Sequence, residues 1–507
     1  MTRLHPSQLA GLAPDVTQPR YARTHLHPGI VHLGTGAFHR GHLAVVNEAA
    51  IHASDDLRWG TVGVALQTPN LCDALAPQAR LYTVALRDIA QDGSPRETVQ
   101  VVGNLMDVLF APDNPMAVME RIAHPDTRIV SLTIAGESES ESDPHAPAVG
   151  ALGSPGSPGS PDTDIAHDLS NATAPRTAIG LIVHALNLRR SRGCAPLTLL
   201  ACDSLPANGD TLRALVLAFA EQVDPDLRAW IEARCTFPNS MVDHIVLHTT
   251  ESDRERISAR LGLEDGAPVL AEPYLEWVIE DRFANGRPAW SHGGARFVEH
   301  AQPFEILKLR MVDGGHSALA YLGAMASLST VDCVLAVPTF HRYLSGLMRE
   351  EIAPTLPPLL DLDLDDYRTR LLDRLANPAL QHQTHQIAAN GSQKVPKRLL
   401  DTVRDRLSAH QPFDRLALAV AAWIHYLGGV DETGSPHVIH DPLAGPLAER
   451  LVLTTAATSV HDRIQAFIDF KPVFGDLGQH PRFVTEVARH ALSLQVFGVI
   501  NTLESLP

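Results

Sequence analysis

The 507-residue sequence lacks the features that mark secreted, membrane-spanning and nucleic-acid-binding proteins. Its five cysteines are scattered and odd in number and form no CxxC pair, so we expect reduced thiols and no disulfide framework. Positive charge is scarce, because 41 Lys+Arg face 58 Asp+Glu and the formal net charge is −17. No apolar run reaches membrane-spanning length, and residues 1–28 contain no signal-like apolar segment. These absences predict a cytoplasmic protein that binds neither nucleic acid nor membranes.

Two kinds of catalytic site find no support in the sequence. There is no Gly-x-Ser-x-Gly elbow, which argues against a serine nucleophile. The residues that could ligate a divalent ion lack HxxxH or CxxC spacing, so we expect no metal. These residues are Asp203, Asp243, Asp313 and His316. What the chain does have is 45% hydrophobic residues over a length that suits two or three domains.

A glycine turn near the N-terminus predicts the start of a dinucleotide-binding unit. Residues 29–33 form a short β-like run, Gly34 and Gly36 follow it, and residues 43–53 have a helical pattern. The two glycines would let a pyrophosphate approach backbone N–H groups at the N-terminus of that helix. His39 stands at the third glycine position of GxGxxG, so the pattern alone also fits an ordinary tight turn.

The segments that follow continue the alternation of strands and helices. Strand-like runs occupy residues 60–66, 81–86, 98–102, 129–134 and 197–202, and helical stretches such as 115–123 and 178–186 lie among them. This spacing predicts a doubly wound α/β sheet. At the end of the second run, residues 67–70 contain no carboxylate for the adenosine ribose and no cation for a 2′-phosphate. We therefore expect NAD as the cofactor, with NADP still open.

Two changes in composition divide the chain. Residues 137–163 are polar and contain a Ser-Pro-Gly repeat, which predicts a flexible surface insertion. Beyond Lys308 the amphipathic runs are largely helical. We therefore predict an α/β protein with a Rossmann-type dinucleotide-binding domain at residues 1–295, followed by a mostly α-helical C-terminal domain at residues 296–507.

Residues 305–316 contain the most suggestive set of reactive side chains. Lys308, Asp313 and His316 are spaced i, i+5 and i+8, so one loop or helix start could direct an amine, a carboxylate and an imidazole into one pocket. Such a set handles protons. A surface loop that caps the following helix explains the same residues equally well.

Several segments together resemble a known family. They are Gly34-x-Gly36-x-Phe38-x-Arg40-x-His42, Phe237-Pro238-Asn239-x-Met241-Val242-Asp243, Lys308 followed eight residues later by His316, and Gly391-Ser392-Gln393-Lys394-Val395-Pro396. The chain is similar, from about Ile30 to near its C-terminus, to the polyol-specific long-chain dehydrogenases, the group of mannitol 2-dehydrogenase and fructuronate reductase.

The resemblance implies roles for particular residues. The general base would be Lys308, with Glu305 relaying its proton and no metal involved. Substrate-binding positions would be His316, Asp243, Lys394 and Asn239, and cofactor-binding positions would be Gly34, Gly36, Ala37, Phe38 and Arg40. The catalytic positions would also include Ser204 and Asp313, which stand where the family has the two asparagines that bind the substrate oxyanion.

These last two positions depart from the family pattern. The Ser204 hydroxyl can still donate one hydrogen bond, whereas an ionised Asp313 cannot donate. Asp313 beside Lys308 would also favour the ammonium form of the lysine. Either Asp313 is protonated in a dry site and donates, or it pairs with Lys308 and the acid–base chemistry differs. Gln386 stands where an arginine is frequent, and this loss of a cation favours a neutral substrate over a carboxylate.

Three interpretations follow from the sequence. The first is an NAD-dependent oxidoreductase that interconverts a polyol such as mannitol or arabinitol with its ketose. The second keeps the fold and cofactor but takes a hexuronate or aldonate. The third is a nucleotide-binding regulator that has lost catalysis through Ser204 and Asp313, against which the presence of Lys308, His316 and Glu305 argues. The resemblance also implies a monomer.

Overall fold

The computed structural model describes residues 2–90, 94–133, 161–203, 205–359, 362–454 and 459–506. The chain divides into two compact units, Met1–Gln302 and Pro303–Pro507. The domain boundary predicted at residues 295/296 stays a prediction. Ser204 and residues 137–160 of the predicted insertion lie outside the described residues, and residues 161–163 begin a helix.

The first unit contains thirteen strands and nine α-helices in its described part. The strands are β1 (Val16–Thr17), β2 (Ile30–Leu33), β3 (Thr61–Ala65), β4 (Tyr82–Ile89), β5 (Pro95–Val102), β6 (Leu105–Phe110), β7 (Ile129–Leu132), β8 (Thr198–Ala201), β9 (Ser240–Asp243), β10 (Val246–Leu247), β11 (Val269–Ala271), β12 (Glu276–Glu280) and β13 (Ala295–Val298). The helices are α1 (Ala37–Gly41), α2 (Leu43–Ser54), α3 (Asn70–Leu75), α4 (Pro115–Ala123), α5 (Pro161–Ser170), α6 (Ala178–Ser191), α7 (Asn208–Val223), α8 (Pro225–Arg234) and α9 (Glu251–Leu261).

A five-stranded sheet in the order β6-β3-β2-β7-β8 is parallel throughout. Strands β2, β3, β7 and β8 are buried along their whole length, as a parallel sheet covered on both faces requires, whereas the edge strand β6 is partly exposed. In β2, Val31 and Leu33 pack with α4 and α6, while Ile30 packs with α2 on the opposite face. The strand order reverses at β2 and β7, and ligands of such sheets bind where the carboxyl ends of the strands meet that reversal. The predicted doubly wound sheet is confirmed.

Two of the predicted strands belong to a different sheet. The runs at 81–86 and 98–102 form the antiparallel pair β4 and β5 in the sheet β1-β5-β4-β11-β10, and a third sheet has the order β13-β12-β9. Alternation along the chain did not reveal this, because a β-hairpin and a crossover strand have the same local pattern.

The described part of the second unit is helical, as predicted. Its α-helices are α10 (Gln302–Leu307), α11 (Gly315–Met325), α12 (Val331–Leu335), α13 (Pro338–Gly346), α14 (Leu364–Leu375), α15 (Thr384–Ala388), α16 (Gly391–Val395), α17 (Asp401–Ser408), α18 (Asp414–Tyr426), α19 (Ala444–Thr454), α20 (Val460–Ile468), α21 (Lys471–Phe474) and α22 (Pro481–Glu504). Three π-helical segments join them: π1 (Lys308–Gly314), π2 (Leu347–Ile352) and π3 (Pro396–Leu400). Helices α11 and α18 are almost wholly buried and form the centre of the core. Among the described residues, no helix is both long enough and apolar enough to cross a bilayer.

Candidate active site

The glycine turn lies at the carboxyl end of β2, beside the reversal of strand order. Gly34 adopts φ +90°, a conformation that glycine accommodates best, and a Cβ built there would approach only the Thr133 hydroxyl, at 3.5 Å. The N–H groups of Gly34 and Thr35 donate to the Val64 carbonyl at 2.9 and 3.1 Å, which fixes the turn against β3. Gly36 then caps α1. The turn lies where the strand order reverses, and Gly34 and Gly36 carry no side chains. Both features fit a dinucleotide whose phosphates approach the backbone.

The helix predicted at residues 43–53 is present as α2 (Leu43–Ser54), but a short helix that the sequence did not predict, α1, lies between it and the turn. Helix α1 begins at Ala37 and ends at Gly41, and the backbone breaks at His42 (φ −116°, ψ −85°) before α2 starts at Leu43. The pyrophosphate was expected at the N-terminus of the Leu43 helix, but the helix next to the glycines is α1. The end of β3 leaves the choice between NAD and NADP open, since residues 67–70 are exposed and uncharged.

Ala37, Phe38 and Arg40 lie on α1, as their spacing requires. The Arg40 guanidinium is buried, donates to the Ala267 carbonyl at 2.6 Å and lies 5.5 Å from the centre of the Tyr82 ring. These contacts hold α1 against β4 and the residue Ala267 just before β11. A cofactor contact for Ala37, Phe38 or Arg40 therefore stays a prediction.

A pair of buried histidines occupies the place of the third Rossmann glycine. The rings of His39 on α1 and His32 on β2 stack with centroids 3.8 Å apart, where a glycine would let helix and strand touch directly. His32 Nδ1 lies 2.9 Å from the Ser131 hydroxyl and Nε2 lies 3.2 Å from the Gly34 carbonyl. Burial lowers the pKa of His32 to about 3 and holds the pKa of His39 well below its ordinary value. Both rings are therefore neutral at pH 7.

This stack predicts acid sensitivity of the first unit. The pKa of each histidine is lower in the folded chain than in the unfolded chain, so the unfolded state binds more protons below about pH 6.5 and stability falls as pH falls. His39→Phe keeps a ring against His32 and removes one titrating group. In urea unfolding between pH 7.5 and 5, we expect its free energy of unfolding to fall less steeply than that of the parent, by about 1.4 kcal/mol per pH unit. Equal slopes for His39→Phe, the parent and a control at the exposed His341, His341→Gln, would contradict this role.

Two of the predicted substrate-binding residues lie in the first unit, at β9. Asp243 ends the strand and is buried. Asn239 borders a cleft of about 740 Å³, but its polar atoms bond to neighbours: its Nδ2 lies 3.0 Å from Asp210 Oδ2, and its backbone N–H donates to Glu280 Oε2 at 3.0 Å. These bonds suit a residue that shapes the strand. A direct substrate contact for either residue stays a prediction.

The amine, carboxylate and imidazole singled out in the sequence come together in the second unit. Lys308 and Asp313 lie at the two ends of π1, and Lys308 Nζ is 2.9 Å from Asp313 Oδ2. Both side chains are nearly buried, 13% and 12% exposed. π-Helical turns concentrate at functional sites, and this one brings residues five apart together. His316 follows on the first turn of α11.

His316 is a neutral group in a positively charged environment. It is buried, and its Nε2 has no hydrogen-bond partner among the residues that the structure describes. Burial, followed by His382, Arg374, Arg398 and Lys308, holds the pKa of His316 well below its ordinary value. The imidazole can thus donate or accept a hydrogen bond with a ligand, but it does not act as an acid at neutral pH.

Glu305 and Lys394 lie on neighbouring helices. Glu305 precedes Lys308 by three residues at the end of α10, a spacing that places both on one helical face. Lys394 on α16 donates to the Ile387 carbonyl at 3.1 Å. His382 lies near both Lys394 and His316, with its ring centroid 5.3 Å from that of His316. Burial, followed by the charges of Arg374 and Lys394, lowers the pKa of His382 to about 4.

Three residues of this site escaped sequence reasoning: Arg374, His382 and Arg398. Arg398 Nη2 lies 3.9 Å from Asp313 Oδ2, and its Nη1 is 3.3 Å from the Ser317 hydroxyl. Arg398 follows Lys394 by four residues, which was the one available signal, while Arg374 lies on the separate helix α14. The expected loss of positive charge at Gln386 is therefore offset within this site by two arginines.

One cluster of side chains elsewhere in the second unit has the composition of a metal site, but an arginine of the protein occupies it. Asp414, Glu486 and His490 could together approach a cation. However, Arg489 Nη2 lies 2.5 Å from Asp414, 2.8 Å from Glu486 and 3.0 Å from His490 Nε2. The guanidinium supplies the positive charge that a metal would supply, so this cluster is an ion-pair network on the surface of α18 and α22.

Comparison with known proteins agrees with both halves of this description. Residues 28–292 match the mannitol dehydrogenase Rossmann domain, and residues 300–495 match the mannitol dehydrogenase C-terminal domain. Mannitol dehydrogenase 2 of Saccharomyces cerevisiae is 36% identical over 100% of this chain and 97% of that protein. D-mannonate oxidoreductase of Escherichia coli is 39% identical over 93% of this chain and 94% of that protein. Mannitol 2-dehydrogenase of Pseudomonas fluorescens, in ternary complex with NAD and D-mannitol, superposes with a TM-score of 0.82 at 34% identity over 99% of each chain.

A parallel sheet with a glycine turn at its strand reversal defines a dinucleotide-binding protein, and the matches cover nearly the whole chain. The chain belongs to the mannitol dehydrogenase family of NAD(P)-dependent oxidoreductases. The family and the Rossmann domain followed by a helical domain, both expected from the sequence, are confirmed.

Proposed function

We propose that the protein is an NAD-dependent dehydrogenase that interconverts a sugar alcohol and its ketose without a metal. The observation that carries this proposal is the cluster of Lys308, Asp313 and His316 at the junction of π1 and α11. Oxidation of a carbinol needs one group to take the hydroxyl proton and others to stabilise the oxygen. An amine and a neutral imidazole supply both. The Pseudomonas fluorescens relative, which was captured with NAD and D-mannitol, supports the choice of cofactor and substrate class.

The chemistry of the second unit follows from the protonation of Lys308. The free amine at Nζ takes the hydroxyl proton, and the resulting ammonium pairs with Asp313 at 2.9 Å. His316 Nε2, which is buried and neutral, binds a substrate oxygen. Glu305 then passes the proton from Lys308 toward water. The dinucleotide, when bound at the Gly34 turn, supplies the acceptor for the hydride.

The position of Asp313 bears on the two outcomes left open by the sequence. Its Oδ2 accepts from an ammonium and lies 3.9 Å from a guanidinium, an environment that suits a carboxylate and not a neutral acid. A carboxylate cannot donate to the substrate oxygen. We therefore assign Asp313 to the control of Lys308, and oxygen stabilisation to the Lys308 ammonium and His316.

A second candidate is oxidation of a sugar acid. Arg374 and Arg398 lie near His316 together with Lys308, so the site carries more positive than negative charge. Guanidinium groups suit a carboxylate, because they present paired donors in one plane. The Escherichia coli D-mannonate oxidoreductase relative is consistent with this reading. The family thus leaves two substrate classes, a polyol or an aldonate, for one site.

A spectrophotometric substrate screen distinguishes the candidates. Formation of reduced cofactor is followed with NAD and with NADP against mannitol, arabinitol, sorbitol, xylitol, mannonate and altronate, and the reverse reaction is followed with fructose and fructuronate. We expect turnover with NAD on at least one polyol. Turnover on acids alone would favour the second candidate, and cofactor binding without any turnover would instead support the regulator.

Lys308→Ala tests the general base. We expect the rate of the best substrate to fall by about 10²- to 10⁴-fold, because proton removal loses its acceptor. NADH affinity, measured by fluorescence titration, should stay the same, because Lys308 is not a dinucleotide residue in this proposal. The exposed Lys397 provides the matched control, Lys397→Ala. Turnover equal to that of the parent would remove lysine as the base.

Asp313→Asn tests the assignment of the carboxylate. The amide restores the residue type of the family, can donate to an oxygen and no longer stabilises the ammonium form of Lys308. We expect the pH of half-maximal oxidation rate to fall by about one unit relative to the parent. Loss of activity on every substrate at every pH would show that Asp313 has a catalytic role of its own.

A further inference from the structure

Asp313 is shared by two cations that approach the same oxygen. Lys308 Nζ lies 2.9 Å from Oδ2 and Arg398 Nη2 lies 3.9 Å from it. Arg398 is also held independently, because its Nη1 is 3.3 Å from the Ser317 hydroxyl and 3.5 Å from the Asp313 carbonyl. A Cβ built on Gly314 would lie 2.7 Å from the Arg398 carbonyl, so the backbones of π1 and π3 are in direct contact there. The guanidinium therefore remains beside the carboxylate whatever the charge of Lys308.

The proposed reaction makes this second cation necessary. Lys308 must be a free amine before it can take a proton, and at that moment it no longer neutralises Asp313. A carboxylate that is only 12% exposed is costly to leave without a counter-charge. If Lys308 were the sole partner of Asp313, the ion pair would keep the lysine protonated and stop the base from working.

Among the described residues of the elements packed against π1, the acidic groups other than Asp313 and the proton relay Glu305 are held by other partners. Arg310 Nη1 pairs with Asp405 at 2.6 Å, and Arg349 pairs with Glu350 at 2.7 Å. Glu351 on π2 accepts from the N–H groups of Arg415 and Leu416. On the remaining sides lie Lys397 of π3, which is exposed, the neutral His316 and His382 with Arg374, and Glu305 on α10.

We infer that Arg398 is a positioning residue that balances the charge of Asp313 while Lys308 is a free amine, an inference that rests on the proposed function of Lys308 as the base. The proton moves from the substrate hydroxyl to Lys308 Nζ and then to water, while Asp313 and Arg398 keep their charges throughout. Asp313 thus switches its principal partner from Arg398 to Lys308 in each turnover. The substitution of asparagine by Asp313 in this chain is tolerated because Arg398 is present.

The pH dependence of the rate tests this inference. In Arg398→Met, Lys308 is the one cation left beside Asp313 among the described residues, so the ammonium form is favoured and the pH of half-maximal oxidation rate should rise by about one unit. In Arg398→Lys a positive charge remains and the profile should stay within a few tenths of a unit of the parent. In Arg398→Met with Asp313→Asn, the upward shift should disappear. A merely structural Arg398 would lower the rate at all pH values without moving the profile, and that result would overturn the inference.

Chemical labelling gives a second readout that needs no activity. The chain contains four lysines, Lys308, Lys394, Lys397 and Lys471, so acetic anhydride labelling followed by peptide mass spectrometry can resolve each one. Only the free amine reacts, and the exposed Lys397 and Lys471 serve as internal standards. At pH 8 we expect roughly tenfold slower labelling of Lys308 in Arg398→Met than in the parent. An unchanged ratio to Lys397 and Lys471 would overturn the inference even if the variant were inactive. Full activity of Lys308→Ala would instead remove the proposed function and leave the labelling result standing.

Discussion

The ion pair between Lys308 and Asp313 is the constraint on which the chemistry of the second unit depends. At 2.9 Å in a nearly buried setting, it couples the charge of the one to that of the other. Two requirements follow from this coupling. The carboxylate stabilises the lysine in its ammonium form, and the carboxylate needs another cation beside it when the lysine is neutral. The uncharged His316 completes the site, because its burial, and then the surrounding positive charge, holds its pKa well below the ordinary value.

The backbone geometry that makes this pair possible is local and unusual. In a regular α-helix, residues five apart point in different directions, whereas π1 directs Lys308 and Asp313 toward each other. The close contact of π3 at Gly314 then presents Arg398 to the same carboxylate. The first unit follows a different principle, in which a turn without side chains at the end of β2 leaves the backbone accessible, and the stack of His32 and His39 takes the place of a glycine.

Sequence reasoning reached the features that are encoded locally. Buried runs of Val, Ile and Leu predicted the parallel strands, Gly34 and Gly36 predicted the turn, and the spacing of Lys308, Asp313 and His316 predicted their meeting. It failed for features that depend on contacts between segments far apart in the chain. The break at His42 depends on packing of α1 against other strands, and the separate sheet of β4 and β5 depends on pairing with β11. Arg398 approaches Asp313 from 85 residues along the chain, a contact that no periodicity reveals.

The charge state of Lys308 is the central claim, and it can be observed directly. With only four lysines in the chain, protein labelled with ¹³C at the lysine ε-carbon gives four resonances, which lysine-to-arginine variants assign. Titration of the parent and of Asp313→Asn by ¹H–¹³C NMR then follows Lys308 itself. We predict that its transition from ammonium to amine occurs at lower pH in Asp313→Asn, while Lys397 and Lys471 titrate identically in both proteins. A Lys308 transition that Asp313→Asn leaves unmoved would contradict the account.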